Sequence, residues 1–92
     1  MNENELRALR HAAGGMLLFH NELWGARAGY WWAGPDGSSA GKVPPWESEV
    51  LDLLERRRLV SIRPVAGALD RPVVATDAGL RLLSTVDSAV AA

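Results

Sequence analysis

The chain contains no cysteine, which excludes disulfide bonds, thiolate metal ligands and cysteine nucleophiles. It has a single lysine, Lys42, so almost all of its positive charge is carried by arginine. The longest apolar run near the N-terminus, Met16–Phe19, is far shorter than the ~20 residues that span a bilayer. The first ten residues carry acidic side chains where a signal peptide would carry basic ones. These features predict a cytoplasmic protein with no membrane segment.

The charge is small overall but unevenly distributed. The net charge of the 92 residues is −1, whereas residues 1–55 carry −4 and residues 56–92 carry +3. The positive charge is concentrated between Arg56 and Arg71, and arginine suits the recognition of phosphate or carboxylate groups. The length and the 48% hydrophobic composition predict one compact domain over residues 1–87, followed by a frayed tail of small residues at 88–92.

Helix and strand signals alternate in the first third of the chain. Asn2 followed by Glu5 resembles a capping box, and the helix that it opens should stop at Gly14-Gly15. The apolar run Met16–Phe19 could be a buried strand or the start of a short helix ending at Gly25, and we favour the strand. Trp24 cannot be assigned to either.

An aromatic strand and a turn follow. Tyr30–Ala33 has high strand propensity, and Gly34–Gly37 has the proline, aspartate and glycine of a tight turn. The strand should therefore pair with a second strand at Ala40–Val43.

The clearest helix of the sequence opens at Pro44-Pro45, because proline in a first turn gives up no intrahelical hydrogen bond. Its spacing predicts a buried apolar face formed by Trp46, Val50, Leu53 and Leu54. The opposite face would carry Glu47, Asp52, Glu55 and Arg56, with Asp52 and Arg56 spaced for an ion pair.

A second hairpin and a last helix complete the sequence. Leu59–Arg63 alternates as a half-buried strand should, and the turn segment Pro64–Arg71 separates it from the strand Val73–Ala75. Thr76 is a good N-cap for a helix beginning at Asp77. That helix carries the apolar stripe Leu82, Leu83, Val86 and Val90, and it could form a homodimer through Leu82, Val86 and Val90.

The stretch VLDLLERRRLVSIRP…DRPVVATDAGLRLL, within residues 50–83, resembles winged-helix transcription regulators of the multiple-antibiotic-resistance (MarR) type. The matching positions are Leu59-Val60, Asp70-Arg71 and Thr76–Gly79. The chain departs from the pattern in two ways. Arg58 stands where the family has glycine. The aromatic segment 29–43 stands in place of the helix that precedes the recognition helix in the family. The whole chain also looks like small bacterial and phage proteins with this order of elements, a likeness that implies no function.

The resemblance implies an α+β fold, a small winged-helix-like domain ordered as helix, β-hairpin, helix, β-hairpin wing and helix. It further implies double-stranded DNA as the partner and transcription regulation as the role. Arg71 would lie in a minor groove or on phosphate, and Arg56, Arg57, Arg58 and Arg63 on backbone phosphates. In the alternative interpretation the arginines have no binding role. They form a solvated helix end that complements the negative C-terminal end of the helix dipole.

A second hypothesis uses acidic and aromatic residues. The presumptive recognition helix presents Glu47, Ser48, Glu49 and Asp52, which is unfavourable for entry into a major groove. The chain could instead be a phage or mobile-element protein that binds a host protein, as an inhibitor or adaptor of the anti-CRISPR kind. Its interface would comprise Tyr30, Trp31, Trp32, Glu47 and Glu49. One of the adjacent tryptophans should be exposed, as an anchor of a protein interface or as a stacking platform for an unpaired base. The alternative is that it lies flat beneath a loop such as Pro64–Arg71.

No catalytic motif stands out. Gly37–Lys42 looks briefly like a phosphate loop, but Asp36 and Val43 occupy two of its required positions. His11 and His20 lie on different predicted elements and lack acidic residues at metal-ligand spacing. We therefore predict no enzyme activity, no metal and no cofactor.

Overall fold

A computed structural model describes residues 1–20, 29–36, 38–65 and 70–91, with only the backbone described for residues 89–91. In these residues a small α+β domain contains three helices and a five-stranded antiparallel sheet. The order is α1 (Glu3–Ala13), β1 (Leu17–His20), β2 (Gly29–Ala33), β3 (Ser39–Lys42), α2 (Pro45–Arg56), β4 (Val60–Ile62), β5 (Asp70–Ala75) and α3 (Asp77–Ala91). None of the described helices is long and apolar enough to cross a membrane.

The structure confirms the predicted elements, including the strand interpretation of the run at Met16–Phe19. Helix α3 continues to Ala91, through residues that the composition predicts as a tail. Several features of the sequence lie outside the described residues: Trp24, Gly25, Gly37 of the predicted turn, and residues 66–69 of the predicted turn segment Pro64–Arg71.

The strands follow the order β3-β2-β1-β5-β4, and every neighbouring pair is antiparallel. The predicted pairing of the aromatic strand with the strand after the turn is confirmed by the register Trp31↔Lys42. In the turn, Asp36 accepts hydrogen bonds from the backbone N–H and the hydroxyl of Ser38, which lower the pKa of the Asp36 carboxyl. Strand β1 lies at the centre and joins the first hairpin to the second.

The hydrophobic core lies on one face of the sheet. Alternation along the paired strands places Leu17, Phe19, Tyr30, Trp32 and Val73 on that face. Buried residues of all three helices pack against it, among them Leu9, Leu54 and Leu83. The opposite face carries Leu18, His20, Trp31 and Asp70, which lie outside this core cluster.

Helices α1 and α2 end in the same hydrogen-bonded turn. After α1, Gly15 donates to the Ala12 carbonyl and Met16 to the His11 carbonyl. After α2, Arg58 donates to the Glu55 carbonyl and Leu59 to the Leu54 carbonyl. Both patterns are Schellman motifs, which require a left-handed residue after the helix. Gly15 meets that need with φ of 70°, and Arg58, at the position of the family's glycine, adopts φ of 60°.

Helix α3 is fixed to this second turn. The Thr76 hydroxyl accepts from the Gly79 N–H, as an N-cap should, and donates to the Arg58 carbonyl. The Thr76 N–H donates to the Leu59 carbonyl. A Cβ atom at Gly79 would lie 2.2 Å from the Leu59 carbonyl oxygen. The Thr76–Gly79 motif therefore allows a close approach between the two segments.

The predicted buried face of α2 is rotated from the one observed. Glu47, Leu51 and Leu54 are buried, whereas Trp46 and Val50 are half-buried and Leu53 is exposed. The sequence pattern predicted Glu47 on the surface of α2, and the predicted apolar face was therefore wrong in its position around the helix. The buried positions have the helical spacing i, i+4 and i+7, with a carboxylate as the first member.

Candidate functional site

Helix α2 presents a mixed acidic and apolar surface to solvent. We define the α2 surface as the outward and flanking residues Trp46, Glu49, Val50, Asp52, Leu53 and Glu55. Its three carboxylates are exposed, Leu53 is 36% exposed, and its other two apolar members are half-buried. The surface therefore combines apolar contact area with a local negative charge.

Within the described part of the chain, the carboxylates of this surface have no cationic partner. Among the described residues, Glu49, Asp52 and Glu55 form no ion pair within 4 Å. The predicted Asp52–Arg56 pair is thus absent, although both side chains are exposed on the same helix. Acidic side chains three positions apart are neighbours on a helix, and like charges there cost roughly 0.2–0.5 kcal/mol per pair. No described cation offsets this repulsion through an ion pair.

Tyr30 lies beneath the acidic flank of α2. Its side chain projects from β2 into the core, 2% exposed, with its ring edge-on to Phe19 at 5.1 Å between centroids. The hydroxyl is buried and lies close to the Asp52 carboxylate. Burial, and then the negative charges of Asp52 and Glu55, raise the pKa of the Tyr30 hydroxyl well above its usual value. The phenol therefore stays neutral under a negatively charged surface.

The arginines predicted to bind DNA do not act as one free basic set. Arg57 donates to the Glu5 carboxylate at 3.2 Å, which ties the end of α2 to α1. Arg71 is half-buried on the core face of β5, with its guanidinium 5.8 Å from the centre of the Phe19 ring. Arg56, Arg58 and Arg63 are exposed. Two of the five predicted contacts are thus already engaged inside the molecule.

The residues predicted for a protein interface are also divided. Tyr30 and Glu47 are buried and cannot contact a partner in this conformation, whereas Glu49 is exposed. Trp31 and Trp32 project to opposite faces of the sheet and are both half-buried, so neither is the exposed anchor that the sequence suggested. The indole N–H of Trp31 is buried and makes no hydrogen bond. Only Glu49 of this set belongs to the α2 surface.

A buried histidine–carboxylate pair was missed by sequence reasoning. His11 Nδ1 lies 2.5 Å from Glu47 Oε1, and Glu47 is 0% exposed. Glu47 Oε2 is buried without a hydrogen bond, and the His11 ring meets Trp32 edge-on at 5.1 Å. The signal available in the sequence was the spacing of Glu47 with Leu51 and Leu54. The pair compensates a carboxylate inside the core and connects α1 to the start of α2.

A second histidine–carboxylate pair lies on the opposite face of the sheet. His20 and Asp70 are cross-strand partners on β1 and β5, with His20 Nδ1 2.9 Å from Asp70 Oδ1. Trp31 approaches this histidine edge-on at 6.4 Å. In the described part of the chain, neither histidine is hydrogen-bonded to a nucleophilic side chain, and no cluster of three metal-ligating residues occurs.

An open groove runs along α3. It has a volume of about 380 Å³ and is lined by Leu59, Ala78, Arg81, Leu82 and Thr85. Arg81 is the one charged residue in this lining, which contains no pair of titratable side chains that could act together in acid–base chemistry.

Searches of the chain against protein-family models, curated proteins and solved structures found no match.

Proposed function

We propose that the chain is a small non-enzymatic protein-binding module that docks on a positively charged surface of another protein. It acts as an inhibitor or adaptor, and the α2 surface is the contact region. The role matches a phage or mobile-element protein directed at a host protein. The observation that carries the proposal is the set of α2 carboxylates that form no ion pair with a described residue, placed beside exposed and half-buried apolar side chains.

Charge and apolar area contribute differently to such a contact. Complementary charge accelerates the encounter and excludes wrong partners, whereas buried apolar and aromatic side chains supply most of the affinity. Trp46 and Leu53 can provide the apolar contact, since both retain accessible area on the flank of the helix. The complementary charge can come from Glu49, Asp52 and Glu55.

The arrangement of elements supports a winged-helix-like scaffold for this module. Strands β1, β5 and β4 lie side by side in that order, α2 precedes the β4–β5 hairpin, and α3 follows it. A winged helix has the same sequence of helix, strand, recognition helix and wing around such a three-stranded sheet. Here the β2–β3 hairpin occupies the place of one helix, and α2 occupies the place of the recognition helix.

A DNA-binding regulator is the second candidate, favoured by the exposed cations Arg56, Arg58 and Arg63 around the end of α2 and β4. Its difficulty is the helix that would enter the major groove. Three carboxylates on the solvent side of α2 would face the phosphate backbone, and a carboxylate gains only by accepting from cytosine. The balance of charge on α2 therefore favours a protein partner over DNA.

Affinity capture from host lysate with matched variants tests the proposal. Leu53→Glu alters the α2 surface, and Leu80→Glu makes the same change at an exposed leucine of α3. We expect a protein retained by the wild type to be lost with Leu53→Glu and kept with Leu80→Glu. A partner that tolerates Leu53→Glu, or the absence of any retained protein, would contradict the proposal.

Fluorescence anisotropy with duplex DNA at low salt tests the second candidate in parallel. We expect no binding above that of a scrambled acidic control protein. Salt-sensitive binding that Arg56→Ala and Arg63→Ala each weaken would replace the protein-binding proposal with the DNA-binding one.

A further inference from the structure

We propose that the face of the sheet opposite the core binds a short single-stranded nucleic acid. We define the outer face as the side of the sheet that carries Leu18, Trp31, Lys42, Arg63 and Pro72. One base would stack on Trp31, and phosphates on either side of that base would reach Lys42 and Arg63. The inference does not depend on the proposed function, because α2 packs on the core face and its solvent-facing surface lies on the other side of the domain.

Strand pairing arranges these five residues in one row across the sheet. Trp31 is paired with Lys42 on β3 and with Leu18 on β1. Leu18 is paired in turn with Pro72 on β5. Arg63, directly after β4, donates its backbone N–H to the Pro72 carbonyl. Paired residues project to the same face of a sheet, and the residues that follow Lys42 and Pro72 are buried in the core on the other face.

The row ends in a cation at each edge of the sheet. Lys42 and Arg63 are exposed, and neither forms an ion pair with a described residue. They lie on the two outermost strands of five, which places them roughly 19 Å apart at about 4.8 Å between neighbouring strands. The one described carboxylate on this face, Asp70, has His20 as its hydrogen-bond partner. The outer face therefore complements an anionic chain that crosses all five strands.

The centre of the row is apolar and aromatic. Leu18 is 7% exposed between Trp31 and Pro72, which are both half-buried. The indole N–H of Trp31 is buried, so any surface that this side chain exposes is aromatic carbon. Aromatic carbon of this kind stacks on nucleic-acid bases, and it accepts every base because each base has a π-face.

A single strand matches this pattern of charge and aromatic surface better than a duplex does. Its bases are unpaired and can stack on a side chain, whereas the bases of a duplex already stack on one another. The smallest single-strand sites hold about four nucleotides, a length that suits one row across a five-stranded sheet. We therefore expect little preference for base sequence and a clear preference for unpaired over paired bases.

The salt dependence of binding counts the phosphate contacts, and fluorescence anisotropy with labelled octathymidylate measures it. On single strands the logarithm of the binding constant falls with that of the salt concentration with a slope of about −0.7 per phosphate contact. Two contacts predict a slope of about −1.4, and Lys42→Ala and Arg63→Ala should each reduce it to about −0.7. The matched control, Arg56→Ala with Arg81→Ala, removes two exposed cations from helices and should leave the slope unchanged.

Substitutions of Trp31 test the stacking separately from the charge. Trp31→Leu keeps an apolar side chain but removes the ring, and it should weaken octathymidylate binding about tenfold without changing the salt slope. Trp31→Phe keeps an aromatic ring and should retain most of the affinity. A tryptophan that serves only the packing of the sheet would not separate the two variants in this way.

Four outcomes would overturn the proposal. The first is the absence of octathymidylate binding at low salt. The second is an equal reduction of the slope in the control and in the two edge variants, which would show general charge attraction. The third is equally tight binding of a duplex of the same length. The fourth is equally tight binding of a polyglutamate peptide of the same charge, which would make the outer face a surface for an acidic protein.

Discussion

At the scale of single residues, Tyr30 gives a direct pH signal because it is the only tyrosine in the sequence. Burial and the neighbouring carboxylates raise the pKa of its hydroxyl in the folded state above the ordinary 10.0. In the unfolded chain the Tyr30 hydroxyl ionises at the ordinary pKa. The stability that its buried neutral form contributes is therefore fully present below about pH 10 and is lost as the pH rises above it. We expect the free energy of unfolding to fall there by up to about 1.4 kcal/mol per pH unit.

Urea denaturation between pH 8 and 11, with ultraviolet absorbance of the phenolate, measures this effect, since about pH 10 is where a free phenol ionises. Phenolate absorbance should appear only with unfolding, and Tyr30→Phe should remove its share of the pH dependence. Ionisation of the folded protein at the pH of free tyrosine would contradict the placement of the hydroxyl.

Arg58 is the second residue with a measurable consequence. A left-handed conformation costs a non-glycine residue roughly 1–2 kcal/mol, and Arg58 adopts it with φ of 60°. Its backbone makes the hydrogen bonds of the turn, and these do not need its side chain. Arg58→Gly should therefore stabilise the fold by about 1 kcal/mol and raise the melting temperature by about 4–8 °C.

Gly15→Ala is the matched control for Arg58→Gly. Gly15 occupies the same position of the same motif after α1, with φ of 70° and open space around it. Alanine there should destabilise the protein by a similar amount, because the conformation alone is penalised. A loss of stability in Arg58→Gly would show that the arginine side chain contributes contacts that outweigh its strain.

At the scale of elements, the packing of α1 on α2 depends on the hydrogen bond between His11 and the buried Glu47 carboxylate. His11→Ala leaves a buried carboxylate without its hydrogen-bond partner, and leaving a buried polar group unsatisfied costs about 1–3 kcal/mol, or more when the group is charged. Thermal unfolding of His11→Ala measures the loss. The neighbouring Arg10→Ala breaks an ion pair with Asp87 that is exposed on both sides, and should cost at most about 1 kcal/mol. Equal effects of the two substitutions would mean that Glu47 escapes to solvent when His11 is removed.

The approach of α3 to the turn after α2 reverses the usual effect of a helix substitution. Alanine in place of glycine inside a helix normally stabilises by about 1 kcal/mol. At Gly79 the added methyl group would lie 2.2 Å from the Leu59 carbonyl oxygen, so the backbone of one segment must move. We expect Gly79→Ala to lower the free energy of unfolding, measured with urea. Ser84→Ala, at an exposed position of α3, should be neutral or slightly stabilising.

Local rules predicted most of these elements from the sequence, and tertiary contacts explain the parts that were missed. Thr76, Pro45 and Gly15 act through their own backbone neighbourhood, so their helix boundaries follow from residue type alone. Glu47 is buried where His11, on another helix, forms a hydrogen bond with its carboxylate, and the spacing of residues along one helix does not reveal a partner on another.

The α2 surface was predicted only in part, because tertiary contacts decide which of its residues are exposed. Glu49 and the acidic character of α2 follow from the sequence, but the rotation of the helix decides that Leu53 is outside and that Tyr30 lies beneath Asp52. Arg57 looked available because its partner, Glu5, is far away in the chain.

At the scale of the whole molecule, the packing of α3 bears on oligomeric state. Dimerisation through Leu82, Val86 and Val90 requires an apolar stripe turned to solvent, but Leu83 is buried and Leu82 packs on the core. A standard interface buries about 800 Å² per partner, and Leu80 is the one large apolar side chain of α3 that is exposed among those described. We therefore expect a monomer of 9.9 kDa in size-exclusion chromatography with light scattering. A mass twice as large that Leu80→Glu or Leu82→Glu halves would restore the dimer.

The central position of β1 also sets the order in which the chain can complete its fold. His20 on β1 finds Asp70 on β5 only after 50 further residues have been added. During synthesis the N-terminal helix and the first hairpin can form early, but one edge of β1 stays unpaired until β5 arrives. Closing such a long loop slows folding and leaves an open strand edge exposed in the meantime. Nascent chains that stop before Asp70 should therefore be the aggregation-prone ones.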